Sequence, residues 1–304
     1  MDIDGPGSAP ALVLVHGLGS DRSQWREAIE DLRTRFRIYA FDLLGHGKSD
    51  HVSSAEHTLE AAARDLEDVI EFTGQEKVLL AGHSMGGMIA LTWCAAHSKN
   101  QSRLYGLVLV HTTPHNPFHT MAPVPLHTAL ERPVHEPILR ITPPLAPVVR
   151  WMTFIDSMNG MAHWNCDLSM FKGSESREQL DRMVRLSIRM DPAAVARFSR
   201  SMMRYDVRDE LPSFNVPVLV VAADRDGTTI PEASDEIVAG LPHPQQLVLA
   251  KTKHMGFMER RYEFAQAVMF FYEDIVNAQP HTVEGQSRRR TGKVVPVSRM
   301  RRAS

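Results

Sequence analysis

Short apolar runs alternate with longer segments of helical period along most of the chain. ALVLV (11–15), RIYAFD (37–42), KVLLAG (77–82), LYGLVLV (104–110), VPVLVVAA (216–223) and QQLVLA (245–250) are strand-sized. Most are apolar at nearly every position, as expected where helices cover both faces of a parallel sheet. Between them, DRSQWREAIEDL, TLEAAARDLEDVIEFTG and GGMIALTWCAAH are each long enough for a crossover helix. In the second, Thr58 precedes the periodic apolar positions and Gly74 follows them, so start and stop signals agree. The alternation predicts an α/β fold with a doubly wound, mostly parallel sheet.

The pattern breaks between about Thr112 and Pro212. Prolines are frequent up to Pro147, and helical segments rich in methionine follow: MTFIDSMNGM, REQLDRMVRLSIRM and AVARFSRSMMRYD. None resembles a buried strand, and the strand pattern resumes at Val216. We therefore expect a core formed by residues 9–112 and 212–279, with residues 113–211 inserted as a helical cap. The cap's Met152, Met158, Met161, Met170, Met183, Met190, Met202 and Met203, with Trp151, Phe154, Trp164, Phe171 and Phe198, suit two roles. They can adapt to an apolar substrate, or form the cap's own small core and its seam with the sheet.

Charge adds a tail to this picture. The net charge of −2 over 304 residues conceals a basic segment, 280–304, with seven basic residues and one acid, Glu284. It lacks periodic apolar positions and is expected to be a disordered tail. The remainder is acidic, which argues against a nucleic-acid enzyme. Cys94 and Cys166 do not have the spacing of a zinc site or a redox pair. The acidic N-terminal stretch is no signal peptide, no apolar run is long enough to span a membrane, and the expected compartment is the cytoplasm.

The candidate chemistry begins at Ser84. In Gly82-His83-Ser84-Met85-Gly86 glycines flank the serine at minus two and plus two, with a strand before and a helix after. That is the context of a sharp strand-to-helix turn that raises a serine hydroxyl at a helix N-terminus. Such a serine needs a base, and the base needs an acid, in the chain order serine, acid, histidine. The run VPVLVVAA ends in ADRDGTTIP, offering Asp224 and Asp226, and QQLVLA ends in KTKHMGFMER, offering His254.

Four segments together resemble the α/β-hydrolase superfamily: VLVHGLGSD as its His-Gly oxyanion loop, with His16, Gly17 and Gly19; FDLLGHGKSD as its Asp-x-x-Gly-His-Gly-x-Ser turn; GHSMGG as its nucleophile elbow; and KHMGFMER as its histidine segment, with Glu259 downstream. The resemblance spans residues 11 to about 275 and leaves only the cap unmatched. It implies an α/β-hydrolase fold with Ser84 as nucleophile, His254 as general base, and the backbone N–H groups of Leu18 and Met85 as oxyanion hole. For the acid it favours Asp226 over Asp224, because Ala223 stands three residues before Asp226 and Pro231 follows at a suitable distance. The family usually has a strand pair before the first motif strand. Only about ten residues precede ALVLV here, so that pair is expected to be shortened.

Gly17, Met255 and His111, which ends a central strand, are expected to line the substrate site. His16 and His46 are expected to brace the oxyanion region, His83 to pack locally, and His243 to lie at the wrong end of its strand. His111, His115 and His119 have the spacing of a helical metal site, but Pro114 and Pro117 forbid that helix; no metal is expected. Nucleotide motifs are lacking, so no cofactor is expected. A serine at the elbow points to acyl transfer: hydrolysis of a small-to-medium hydrophobic ester, thioester or lactone through an acyl-enzyme. A ligand-binding receptor on the same fold, or cofactor-free perhydrolase chemistry, are the alternatives.

Overall fold

The computed structural model describes residues 1–49, 57–96 and 98–278; the basic tail lies outside the described residues. Seven strands form one sheet: β1 Asp2–Asp4, β2 Ala11–Val15, β3 Arg37–Phe41, β4 Val78–His83, β5 Leu104–Val110, β6 Val218–Ala223 and β7 Pro244–Leu249. Their order is β1-β3-β2-β4-β5-β6-β7, and only β1 runs antiparallel. The N-terminal strand pair expected to be shortened is represented by β1 alone, a three-residue strand paired with β3 through Asp2↔Ala40, Ile3↔Tyr39 and Asp4↔Ile38. This is the α/β-hydrolase architecture.

Except in the edge strand β7, where Val248 is exposed, the apolar runs are buried on both faces because two separate cores flank the sheet. Ala11, Val13 and Val15 of β2 face one core and Leu12 and Leu14 the other, as the two-residue period of a strand requires. The first core is closed by α2 (Leu59–Phe72) and α3 (Met85–Ala96), the second by α1 (Arg26–Leu32) and the C-terminal helix, whose Phe264, Val268 and Phe271 pack there. Thr58 caps α2 by accepting the Ala61 N–H at 3.1 Å, and Gly74 beyond its end takes a φ of 65°. Both signals act where the sequence placed them.

A short helix, α4 (Ser98–Ser102), leads into β5. Six helices then intervene before β6: α5 (Val124–Leu130), α6 (Glu136–Ile141), α7 (Ala146–Met158), α8 (Met161–Met170), α9 (Arg177–Arg189) and α10 (Pro192–Met202). The chain re-enters the sheet beside the strand it left, with Leu107↔Val218 and Val110↔Val221 in parallel register. After β6 come α11 (Pro231–Gly240), β7, α12 (Gly256–Glu259) and α13 (Arg261–Ala278).

The inserted helices are tied down at several points. Arg182 and Glu27 form a buried ion pair, Met255 N–H donates to Met170 O at 2.9 Å, and Leu59 N–H donates to Ser201 Oγ at 3.1 Å. Glu259, downstream of His254, accepts from the Lys172 N–H and the Ser174 hydroxyl. Phe171 and Phe198 are buried, as a core and seam require, but Trp151, Phe154 and Trp164 are exposed. The expectation that Trp151, Phe154 and Trp164 meet a substrate or serve a core is corrected on both counts.

Candidate active site

The turn between β4 and α3 is built from contacts that exclude side chains. A Cβ on Gly82 would lie 2.4 Å from Gly86 O, and one on Gly86 would lie 2.3 Å from Val15 O. Ser84, at the apex, is held at a φ of 53°, a left-handed conformation costly for a residue with a Cβ. Its backbone is pinned: Ser84 N–H donates to Val110 O at 2.9 Å, while Ser84 O accepts from Gly87 N–H at 2.9 Å and Thr112 Oγ1 at 2.8 Å. Strain of this kind persists only where the surroundings fix it, and here the last residue of β5, Val110, and Thr112 just beyond it supply two of the restraints.

His254 and Asp226 meet from the ends of β7 and β6. The His254 Nδ1–H donates to Asp226 Oδ2 at 2.8 Å. Asp226, 3 % exposed, also accepts the Thr229 hydroxyl at 3.0 Å and the Thr228 and Thr229 N–H groups at 2.7 and 3.1 Å. Burial alone would raise this carboxyl's pKa, but His254 and the surrounding donors outweigh it and hold the group below its ordinary value. Asp224 is exposed and among the described residues accepts only the Thr252 N–H, at 3.2 Å, so geometry separates the two candidate acids. The inserted segment braces this loop, with Ala122 N–H donating to Gly227 O at 2.8 Å and Ile230 N–H to Thr120 O at 3.0 Å.

The loop Gly17-Leu18-Gly19 is held on both sides by neutral histidines. His16 donates from Nδ1 to Gly17 O at 2.8 Å and accepts the Leu43 N–H at Nε2. His46 accepts the Gly19 N–H at 3.1 Å and donates to Leu44 O. Burial lowers their pKa values, to about 4 for His16 and about 3 for His46, which preserves each ring's acceptor nitrogen. Gln24 accepts the Gly17 N–H at 3.3 Å. Between these anchors stands Leu18, and across from it Met85 begins α3, where a helix leaves its first amides without internal partners.

A cavity of about 220 Å³ joins these parts. Gly17, Leu18, Ser84, His254 and Met255 line it, as do Gln24, Thr228, Thr229, Phe118 and Met121. From the inserted helices come Met170, Met183 and Met202. Two of the three residues expected to line the site, Gly17 and Met255, do so. His111 instead lies behind His254, 1 % exposed, with ring centroids 6.3 Å apart and a φ of 46°. His83 donates to the main-chain carbonyl of His254 at 3.0 Å and so helps set its position. His115 faces Glu236 and His119 faces Glu131, with their ring centroids 6.3 Å apart, while His111 lies beside His254 instead. His243 is exposed before β7.

Gln24, Phe118 and Met121 carry no sequence signal for this role. Thr228 and Thr229 do: an aspartate followed two and three residues on by Thr-Thr is the pattern of a self-capped turn.

The profile of the alpha/beta hydrolase family matches residues 12–267, and the chain belongs to that family. Among curated relatives, it is 24 % identical over 271 residues to a pimeloyl-[acyl-carrier protein] methyl ester esterase of Vibrio atlanticus, covering 87 % of this chain and 95 % of the relative. It is likewise 24 % identical over 287 residues to 3-oxoadipate enol-lactonase 1 of Acinetobacter baylyi, covering 90 % of this chain and 93 % of that one. Among solved structures, a thermophilic esterase from Thermogutta terrifontis superposes with a TM-score of 0.71 at 26 % identity, covering 90 % of this chain and 92 % of the other.

Proposed function

We propose that this protein is a serine hydrolase that cleaves a small-to-medium hydrophobic ester through an acyl-enzyme, with residues 113–211 acting as the cap that shapes the acyl site. The observation that carries the proposal is that a strained serine and a buried His–Asp pair border one methionine-walled cavity. Relatives named as a methyl ester esterase and an enol-lactonase support the bond type. Among the described residues, no Lys, Arg, Asp or Glu lines the cavity, which suits a neutral acyl group, since a charge there would be stranded without a counter-ion.

In this reading Ser84 Oγ attacks the carbonyl carbon while His254 takes its proton. With Nδ1 committed to Asp226, Nε2 is the nitrogen that accepts it. Asp226, kept ionised, stabilises the imidazolium. The Leu18 and Met85 N–H groups receive the developing oxyanion, each donor contributing roughly 3 kcal/mol. Collapse expels the alcohol, which leaves with the proton from His254. Water then attacks the acyl-enzyme with His254 again as base, releasing the acid and restoring Ser84.

The test is labelling by a fluorophosphonate, followed by p-nitrophenyl esters of increasing chain length. Ser84→Ala and His254→Ala are each expected to abolish labelling and to lower kcat by on the order of 10⁴-fold or more. A folded wild type that does not label, and turns over no ester, would overturn the hydrolase reading and favour a ligand-binding receptor on this fold.

A further inference from the structure

Gln24 reaches the site from a one-turn helix, Arg22–Trp25, that its neighbours hold in place. Asp21 caps this helix by accepting the Ser23 N–H at 2.7 Å, and the Gln24 N–H donates to Asp21 O at 3.1 Å. Trp25 packs against Phe257, with ring centroids 4.8 Å apart. Gln24 itself is 1 % exposed. The two ends of its amide differ. Oε1 accepts the Gly17 N–H at 3.3 Å, and the reverse orientation would set an NH₂ group against an N–H, so this bond fixes which end is which. Nε2 is left over: it is buried and, among the described residues, bonded to nothing. Four residues earlier, Ser20 Oγ is likewise buried and unbonded among the described residues. Both side chains line the cavity that holds Ser84 and His254. A buried donor without a partner is costly and uncommon, and two on one cavity wall point to a ligand that supplies the partner.

The chemistry of these atoms selects the partner. An amide NH₂ can only donate, and a serine hydroxyl can donate as well, so the partner carries a lone pair. Among the described residues no Lys, Arg, Asp or Glu lines the cavity. An anion would sit there without a counter-charge, so the acceptor is a neutral oxygen. Thr229 does not compete for it, because its hydroxyl is committed to Asp226 Oδ2 at 3.0 Å. The third unbonded atom on this wall, His83 Nδ1, is an acceptor while Nε2 donates to His254 O. It lies against Gly17, where an added Cβ would be 2.9 Å from it. Position narrows the choice further. Gln24 holds Gly17, the residue before Leu18, whose N–H is assigned to the oxyanion. The acceptor therefore belongs within a few bonds of the scissile carbonyl. The facing wall, with Met170 and Met183, has only thioethers to offer.

We infer that the substrate carries a second, uncharged oxygen close to the scissile carbonyl, in an ether, ketone or ester group, and that Gln24 Nε2 and Ser20 Oγ donate to it. The inference takes the serine-hydrolase reading as its premise and adds a selection rule to it. A hydrocarbon ester of the same size leaves both donors unpaired and is disfavoured for that reason. Gln24 then acts at both ends, holding the oxyanion loop with Oε1 and reading the substrate with Nε2.

The test compares three esters of one size and shape: butyl butyrate, butyl methoxyacetate and 2-methoxyethyl butyrate. Each of the last two exchanges one CH₂ for an ether oxygen, in the acyl half or in the alcohol half. Values of kcat/KM are measured with the full chain by pH-stat, each divided by the ester's hydroxide-catalysed rate. Wild type is expected to prefer at least one oxygenated ester over butyl butyrate by about tenfold, and which one shows the half that carries the acceptor. Gln24→Met is expected to abolish the preference. Its lost grip on Gly17 slows all three esters alike, so the ratio isolates the Nε2 contact. Ser20→Ala is expected to reduce the preference by about threefold, and it decides alone if Gln24→Met does not fold. No preference in wild type, or a preference that survives both substitutions, would overturn the inference while leaving the hydrolase reading intact. Turnover of none of the three esters would overturn the hydrolase reading itself, and the inference with it.

Discussion

Asp224 and Asp226 stand two residues apart at the end of one strand, and only Asp226 meets a histidine. An amide at position 226 would remove the charge facing the imidazolium and could present its NH₂ to Nδ1, inverting the tautomer. Asp226→Asn is expected to lower kcat by on the order of 10⁴-fold, whereas Asp224→Asn should stay within a few-fold of wild type; p-nitrophenyl ester kinetics would distinguish them. A second residue-scale consequence concerns acid. Burial lowers the pKa of His111 to about 3, from 6.5 in the unfolded chain, and lowers those of His16, His46 and His83 as well. Below pH 6.5 the unfolded chain therefore binds more protons than the native one, so stability falls as pH drops through that window, by up to about 1.4 kcal/mol per pH unit for each such group. His111→Asn keeps a side chain that tolerates positive φ and removes one titrating group. Its thermal midpoint is expected to fall less than that of wild type between pH 7 and pH 4; equal falls would show that His111 takes no part. The placement of Ser84, Asp226 and His254 beyond the ends of β4, β6 and β7 was legible because each follows a strand at a motif position. The residue that seats Gly17 was not, since Gln24 reaches the site from a one-turn helix with an ordinary composition.

The inserted helices divide their methionines by face. Met170, Met183 and Met202 look into the cavity, and Met152, Met158 and Met161 look away from the protein. The inward set forms an adaptable wall, and a lysine there would need either to displace acyl chain or to bury its charge. Met183→Lys is expected to lower kcat/KM by about tenfold for a butyrate ester, with the loss growing along the chain-length series; a loss independent of length would place the effect in the fold instead. The boundaries of α2 could be read in advance from a capping threonine and a terminal glycine. The orientation of α7 could not. Helical periodicity shows that one side is apolar, but it contains no information about which side the neighbouring elements occupy, and so Trp151, Phe154 and Trp164 were offered a place in the substrate wall or in a core, and they are exposed and take neither.

For the molecule as a whole, the apolar runs foretold six strands and their parallel sense, because a strand buried on both faces has to be apolar throughout. The seventh, β1, was hidden: Asp2-Ile3-Asp4 has two carboxylates, and it is held by main-chain pairing with β3 and by ion pairs of Asp2 with Arg22 and Asp4 with Arg33. Two acids on a short edge strand also discourage further strands from adding there. The return of the chain from its helical insertion to the strand it had left has a consequence for the order of assembly. Ser84 belongs to the first third of the chain, but the strands that present Asp226 and His254 join the sheet only after some hundred residues of cap have been made. During vectorial synthesis the elbow can be formed while its partners are still inside the ribosome. In the hydrolase proposed here the serine's reactivity is thus conferred last, when β6 joins β5 and β7 joins β6, and a nascent chain carries an unarmed serine until its fold is nearly complete.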